Sequence, residues 1–205
     1  MRRVGLVLAA LLVLLAAAPA EGGTPLVRHS VPGIGFSIGV PSGWKSIDYR
    51  QVATSGLVDR LARENPQLAP LLQALRSPGS GVKLFAFDPH LTSGFATNVN
   101  LVVEQVPAGL TASQYAGAAL AQLNQLANIV RPIRQHALRL AAGPAVELQY
   151  HIRFTLAGKQ VVTSTTQYVL THDARAFVVT YTTLPGLAAR RASLFATSAQ
   201  SIRLT

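Results

Sequence analysis

The chain has no cysteine, which excludes disulfides, thiolate zinc sites, a cysteine nucleophile and a lipid-modified cysteine. Acidic residues are also scarce, with 8 Asp+Glu against 18 Lys+Arg in 205 residues. A zinc site needs three or four convergent donors. The five histidines, His29, His90, His136, His151 and His172, with so few carboxylates, make a thin pool. None of the histidines stands at H-x-H or H-x-x-x-H spacing, and we expect no metal and no cofactor. The want of cysteine does not argue against export, because a domain of this size buries enough apolar surface to stand without staples.

Long apolar runs are missing as well, with one exception at the N-terminus. Arg2 and Arg3 precede an unbroken apolar stretch from Val4 to Ala18, and Ala18-Pro19-Ala20 supplies small residues at the positions a signal peptidase reads. The stretch is shorter than the roughly 20 residues a spanning helix needs. We therefore expect a cleavable signal peptide over 1–20, a flexible lead over 21–32 and a single domain over 33–205, secreted to the envelope or the medium. Removing Arg2 and Arg3 from 18 Lys+Arg leaves 16 against 8 acids, a mature charge of about +8. The basic residues are mostly Arg and are dispersed. Such a charge favours non-specific association with polyanions without specifying a site. Export takes the chain away from nucleic acid, which is not expected as a partner.

Periodicity organises the rest. Phe36, Ile38 and Val40 alternate onto one face of a strand, Pro41-Ser42-Gly43 turns, and Trp44 to Ile47 reads as a second strand. Two apolar stripes at helical spacing, from Leu57 to Leu75, predict helices within 50–76. Lys83–Phe87 and Asn98–Val106 read as strands. Thr111-x-x-Gln114 has the form of a capping box and opens a helix that the pattern carries toward Pro132. Val146–Phe154, Gln160–Leu170 and Arg175–Thr183 then form a meander closed by a helix to about Ser198. Strands joined by tight turns with helices grouped between them predict an α+β fold, an antiparallel β-sheet flanked by helices.

Three features resemble the Mog1/PsbP-like α/β/α sandwich, including its exported actinobacterial LpqN/LpqT-type envelope members. These are Gly35-Phe36-Ser37-Ile38-Gly39-Val40-Pro41-Ser42-Gly43-Trp44, the Asn98–Glu104 strand with the following helix, and Phe195-x-x-Ser198 with Ser201-Ile202-Arg203. Many exported relatives carry a lipobox cysteine that is absent here. The resemblance implies a small accessory or binding protein and brings no shared catalytic residues. Ran binding is not expected of an exported chain, and no carboxylate cluster supports the calcium or manganese of the photosynthetic branch.

Two patterns could carry chemistry. Gly35-Phe36-Ser37-Ile38-Gly39 matches G-x-S-x-G, but that motif needs its serine on a strand-to-helix turn. Here it lies within a strand, so a serine hydrolase using Ser37 is the remotest reading and we expect no enzyme. Arg131, Arg134, His136 and Arg139 form the densest basic stretch, placed between helix and strand. A helix C-terminus would account for Arg131. Arg190 and Arg191 start the last helix, where the dipole gives them no help. Glu147, Gln149, His151 and Arg153 make an outward polar row, with Thr163, Thr165 and Gln167 expected alongside. This set, Arg131, Arg134, Arg190, Arg191, Glu147, Gln149, His151 and Arg153, is the expected contact surface. The leading expectation is a non-enzymatic binding or accessory protein, its partner an envelope protein or an apolar ligand between the 50–76 helices and the sheet. The alternative is peripheral attachment to anionic lipid or wall polymer through the arginines.

Overall fold

The computed structural model describes residues 23–48, 63, 81–156 and 158–205. The segment expected to be a signal and, Arg63 apart, the helices expected over 50–76 lie outside the described residues. Among the described residues ten strands and two helices follow in order. They are β1 Leu26–Val31, β2 Phe36–Pro41, β3 Lys45–Asp48, β4 Val82–Phe87, β5 Asn98–Gln105, α1 Ala112–Leu123, β6 Ile129–Leu140, β7 Gly143–Leu156, β8 Lys159–His172, β9 Arg175–Thr183, α2 Pro185–Gln200 and β10 Arg203–Leu204. Strands β3-β4-β5-β9-β8-β7-β6 form a seven-stranded antiparallel sheet, and β1-β2-β10 form a small second one. The predicted α+β class with helices on both sides of an antiparallel sheet is what the chain adopts.

The large sheet is the middle of three layers. On one side α2 and the small sheet enclose a core that includes Phe36, Ile38, Leu101, Phe177, Val179, Tyr181 and Phe195. Trp44 packs half-buried against this core. On the other side α1 rests on β7, β8 and β6 through Ala112 and Ala116, over Val146, Leu148, Val169 and Val178. The alternating pattern of β7, β8 and β9 supplies both cores at once, since successive residues face opposite sides. Phe177 belongs to one core and Val178 to the other.

Local chemistry fixes the ends of these elements. The capping box is present: the Thr111 hydroxyl accepts from the Gln114 N–H at 3.2 Å, and the Gln114 side chain accepts from the Thr111 N–H at 2.9 Å. The β8–β9 turn places Asp173 and Ala174 at φ 48° and 55°, the left-handed pair of a tight hairpin. Gly39 sits where a Cβ would come within 2.9 Å of the Ser201 hydroxyl and 3.0 Å of Leu26, so only glycine lets α2 and β1 close on β2.

Three elements depart from expectation. The lead expected to be loose contains β1, whose polar sequence pairs along its whole length with β2. As an outer strand it buries little beyond Val31, so its sequence has no alternation to show. Helix α1 ends at Leu123, well before Pro132, and the basic stretch expected between helix and strand is itself β6, the outer strand of the large sheet. Pro132 falls where the β6–β7 register shifts between Val130 and Arg134. A residue without an N–H is tolerated at such an edge irregularity.

Candidate functional site

The polar row on β7 does not simply face solvent. Glu147, Gln149 and His151 floor a cleft of about 510 Å³ between the β6–β8 half of the large sheet and α2. Register decides which β8 residues join them. Glu147 pairs with Tyr168, Gln149 with Thr166 and His151 with Ser164, and all six line the cleft. The expectation that Thr163, Thr165 and Gln167 stand beside the row is therefore corrected. They are one register step away, and with period 2 one step puts a residue on the opposite face. Thr165 and Gln167 lie beneath α1.

The opposite wall is α2, which turns Ala188, Ala189, Ala192 and Ala196 toward the cleft, with Phe195 beside them. Alanines at these positions leave open the space that larger side chains would fill. Their helical spacing was readable in the sequence, but nothing there said which sheet positions they would oppose. At the C-terminal end of the helix Gln200 bridges to the β6–β7 hairpin, its amide accepting from the Ala141 N–H and donating to the Arg139 carbonyl, each at 3.2 Å. Further along, the Tyr181 hydroxyl donates to the Ser198 hydroxyl at 2.8 Å, and Ser198 donates to the Gly39 carbonyl. The helix wall is thus tied to both sheets.

The groups in the cleft are unevenly committed. Burial first, and the neighbouring Glu147 carboxylate second, push the Tyr168 phenol above its ordinary range. Arg134 borders the cleft from β6. His151 Nδ1 is buried and has no hydrogen-bond partner.

The five arginines of the expected contact surface do not converge. Arg131 donates to the Asn124 carbonyl at the C-terminal end of α1, the helix-end role its position suggested. Arg191 reaches across 103 positions to Asp88 at 3.0 Å, with the Arg191 side chain 24% and the Asp88 side chain 10% exposed. Asp88 also accepts from the His90 N–H at 2.9 Å, so it ties the end of β4 to α2. Arg190 is exposed on α2 and Arg153 on β7, neither lining the cleft. Only Arg134 of this group borders it.

Ser37 lies in the middle of β2, paired with Ser30 on one side and Arg203 on the other, and accepts from Arg28 at 3.0 Å. The flanking glycines answer to close packing. A Cβ at Gly35, where φ is +63°, would fall 2.0 Å from the Thr205 carbonyl oxygen. β2 ends at Pro41 in a turn to β3, so the strand-to-helix elbow of a serine nucleophile is not formed there. Among the described residues no group of three or more His, Asp or Glu is placed to hold a metal ion. No helix among them is long and apolar enough to cross a membrane.

No family model and no curated protein sequence matches the chain. Its fold is shared by several solved structures. The solution structure of cyanobacterial PsbP (CyanoP) from Synechocystis sp. PCC 6803 aligns with a TM-score of 0.56 at 16% identity, over 93% of this chain and 99% of that one. The Ran-binding protein Mog1p of Saccharomyces cerevisiae aligns with 0.51 at 9% identity, over 89% and 96%. LpqN, involved in cell envelope biogenesis of Mycobacterium tuberculosis, aligns with 0.50 at 10% identity, over 90% and 87%. At these identities the likeness is one of fold.

Proposed function

We propose that the protein is an exported, non-enzymatic binding protein of the cell envelope or extracellular space, and that it holds its ligand in the cleft between α2 and β6–β8. The observation that carries this reading is a polar floor, Glu147, Gln149 and His151 with Ser164 and Thr166, left open under an alanine wall, with one buried nitrogen unsatisfied. A cleft of about 510 Å³ falls in the size range of ligand pockets, about 300–1,000 Å³. Hydrogen-bonding groups on the floor and an apolar wall suit a small molecule, or a partner's protruding loop, with one polar edge and one apolar face. The shared fold with PsbP and LpqN agrees with an accessory role in such a compartment. Attachment through an arginine cluster has less support, because Arg131 and Arg191 already have partners.

Native mass spectrometry of the protein from fractionated culture tests both halves. We expect a chain cut after Ala20 in the envelope or medium, carrying a bound mass that an Ala192→Trp variant loses while its circular dichroism is unchanged. Ala192 is exposed on the cleft wall, so a large side chain there fills the space without entering the core. A full-length chain retained in the cytoplasm would rule out export. A wild-type protein without bound mass, or a variant that keeps it, would rule out the cleft.

A further inference from the structure

The face beneath α1 carries a second concavity with a different chemistry. A groove of about 450 Å³ lies between the end of α1 and the centre of the large sheet. A sheet face beneath a helix is ordinarily apolar, yet a ladder of uncharged polar side chains crosses this floor among Val102, Val169 and Val178. Asn100 on β5 pairs with Thr180 on β9, Thr180 with Gln167 on β8, and Thr182 with Thr165. Gln167 donates to the Thr180 hydroxyl at 3.1 Å. Thr165 is 1% exposed and its hydroxyl has no partner. A buried hydroxyl left unpaired costs stability that an apolar residue of the same shape would not.

Charge narrows the occupant. Among the described residues lining the groove, Glu104 alone is formally charged, and it is engaged by the Tyr115 hydroxyl at 2.8 Å. No cation among the described residues lines the groove to receive an anionic group. Apolar surface borders the ladder: Leu123 and Leu126 after the α1 stripe, and Ile152 on β7. Leu126 is 49% exposed.

We infer that this groove is a binding site for an uncharged amphiphile, its hydroxyl- or amide-bearing head on the Asn100–Thr180–Gln167–Thr165 ladder and its hydrocarbon chain along Leu123, Leu126 and Ile152. The site is on the sheet face opposite the α2 cleft and stands independently of the function proposed for that cleft.

The test is calorimetric titration of the whole mature chain with octyl glucoside below its micellar concentration, against octyl sulfate as the anionic control with the same tail, in salt high enough to screen the protein's positive charge. Saturable binding of the glucoside, tighter than of the sulfate, is expected. Thr165→Val is expected to weaken it about 2- to 10-fold, the worth of one hydrogen bond, and to leave the melting temperature unchanged or raised. Ala192→Trp, which fills the other cleft, is expected to leave it unchanged. No saturable binding, equal affinity in Thr165→Val, sulfate binding as tight as glucoside, or loss of binding in Ala192→Trp would each overturn the inference. A lowered melting temperature in Thr165→Val would overturn it as well, since that hydroxyl would already be satisfied in the free protein.

Discussion

The two faces of the seven-stranded sheet are made by the same strands and differ in nearly everything else. The face toward α2 is aromatic and dense. Phe36 stacks on Phe177 with centroids 5.9 Å apart, and Tyr181 stacks on Phe195 at 4.7 Å. The Tyr181–Ser198–Gly39 chain of hydrogen bonds ties helix, large sheet and small sheet together. The face toward α1 has a smaller core closed by two alanines, and beside it the neutral ladder with its unpaired Thr165. A strand's period of two lets one stretch of sequence serve both faces without compromise. Among the described residues, the α2 face holds the larger buried core. Each face keeps an open concavity where its helix stops short of covering polar side chains.

The sharpest way to break this comparison uses neighbours on one strand. Phe177 and Val178 are consecutive and face opposite sides, at 0% and 8% exposure. Phe177→Ala should cost about 3–5 kcal/mol in urea unfolding, as a large buried aromatic does. Val178→Ala should cost about 1–2 kcal/mol, the worth of two buried methyl groups. Equal losses would mean that the two cores contribute alike. The next effect concerns how α2 is held. Asp88→Asn should cost about 1–3 kcal/mol, because it weakens the charge-assisted hydrogen bond to Arg191 in a partly buried site. A variant as stable as the wild type would show that the pair does not fasten the helix wall.

The smallest effect sharpens the comparison at the outer sheet. Burial lowers the His29 pKa below its ordinary value of 6.5. As pH falls through that value the unfolded chain takes up the proton before the folded one does, so stability decreases on acidification and levels off below the folded pKa. The His29 share of the fall in urea midpoint between about pH 7.5 and about pH 5 should vanish in His29→Gln, where no imidazole titrates. An identical pH slope in the variant would assign the whole fall to other groups.

Much of the frame was readable. The alternation of Val146–Phe154 and the capping box at Thr111 and Gln114 each rest on contacts within a few residues, and both stand in the structure. Two of the outer strands, β6 and β1, were not readable, for a common reason. β6, with Arg131, Pro132, Arg134 and Arg139, and β1, with Arg28 and His29, bury little, so their side chains need not alternate. Pairing with an inner neighbour makes them strands. The polar row on β7 was found, and its β8 companions were taken one residue out of step. Alternation shows that a strand has two faces; it does not show which face meets the neighbour's odd or even positions.

The sequence by itself determined local matters: where helices start, where hairpins turn, which positions of each strand share a face. It also set a composition that leaves no thiol and few carboxylates for chemistry. The tertiary structure decided which charges are free and which polar faces stay open. Arg191 is spent because Asp88, 103 positions away, is brought against it, while Thr165 is left without a partner although hydroxyls and amides surround it. Both outcomes depend on register and helix placement, which the sum of many non-local contacts fixes.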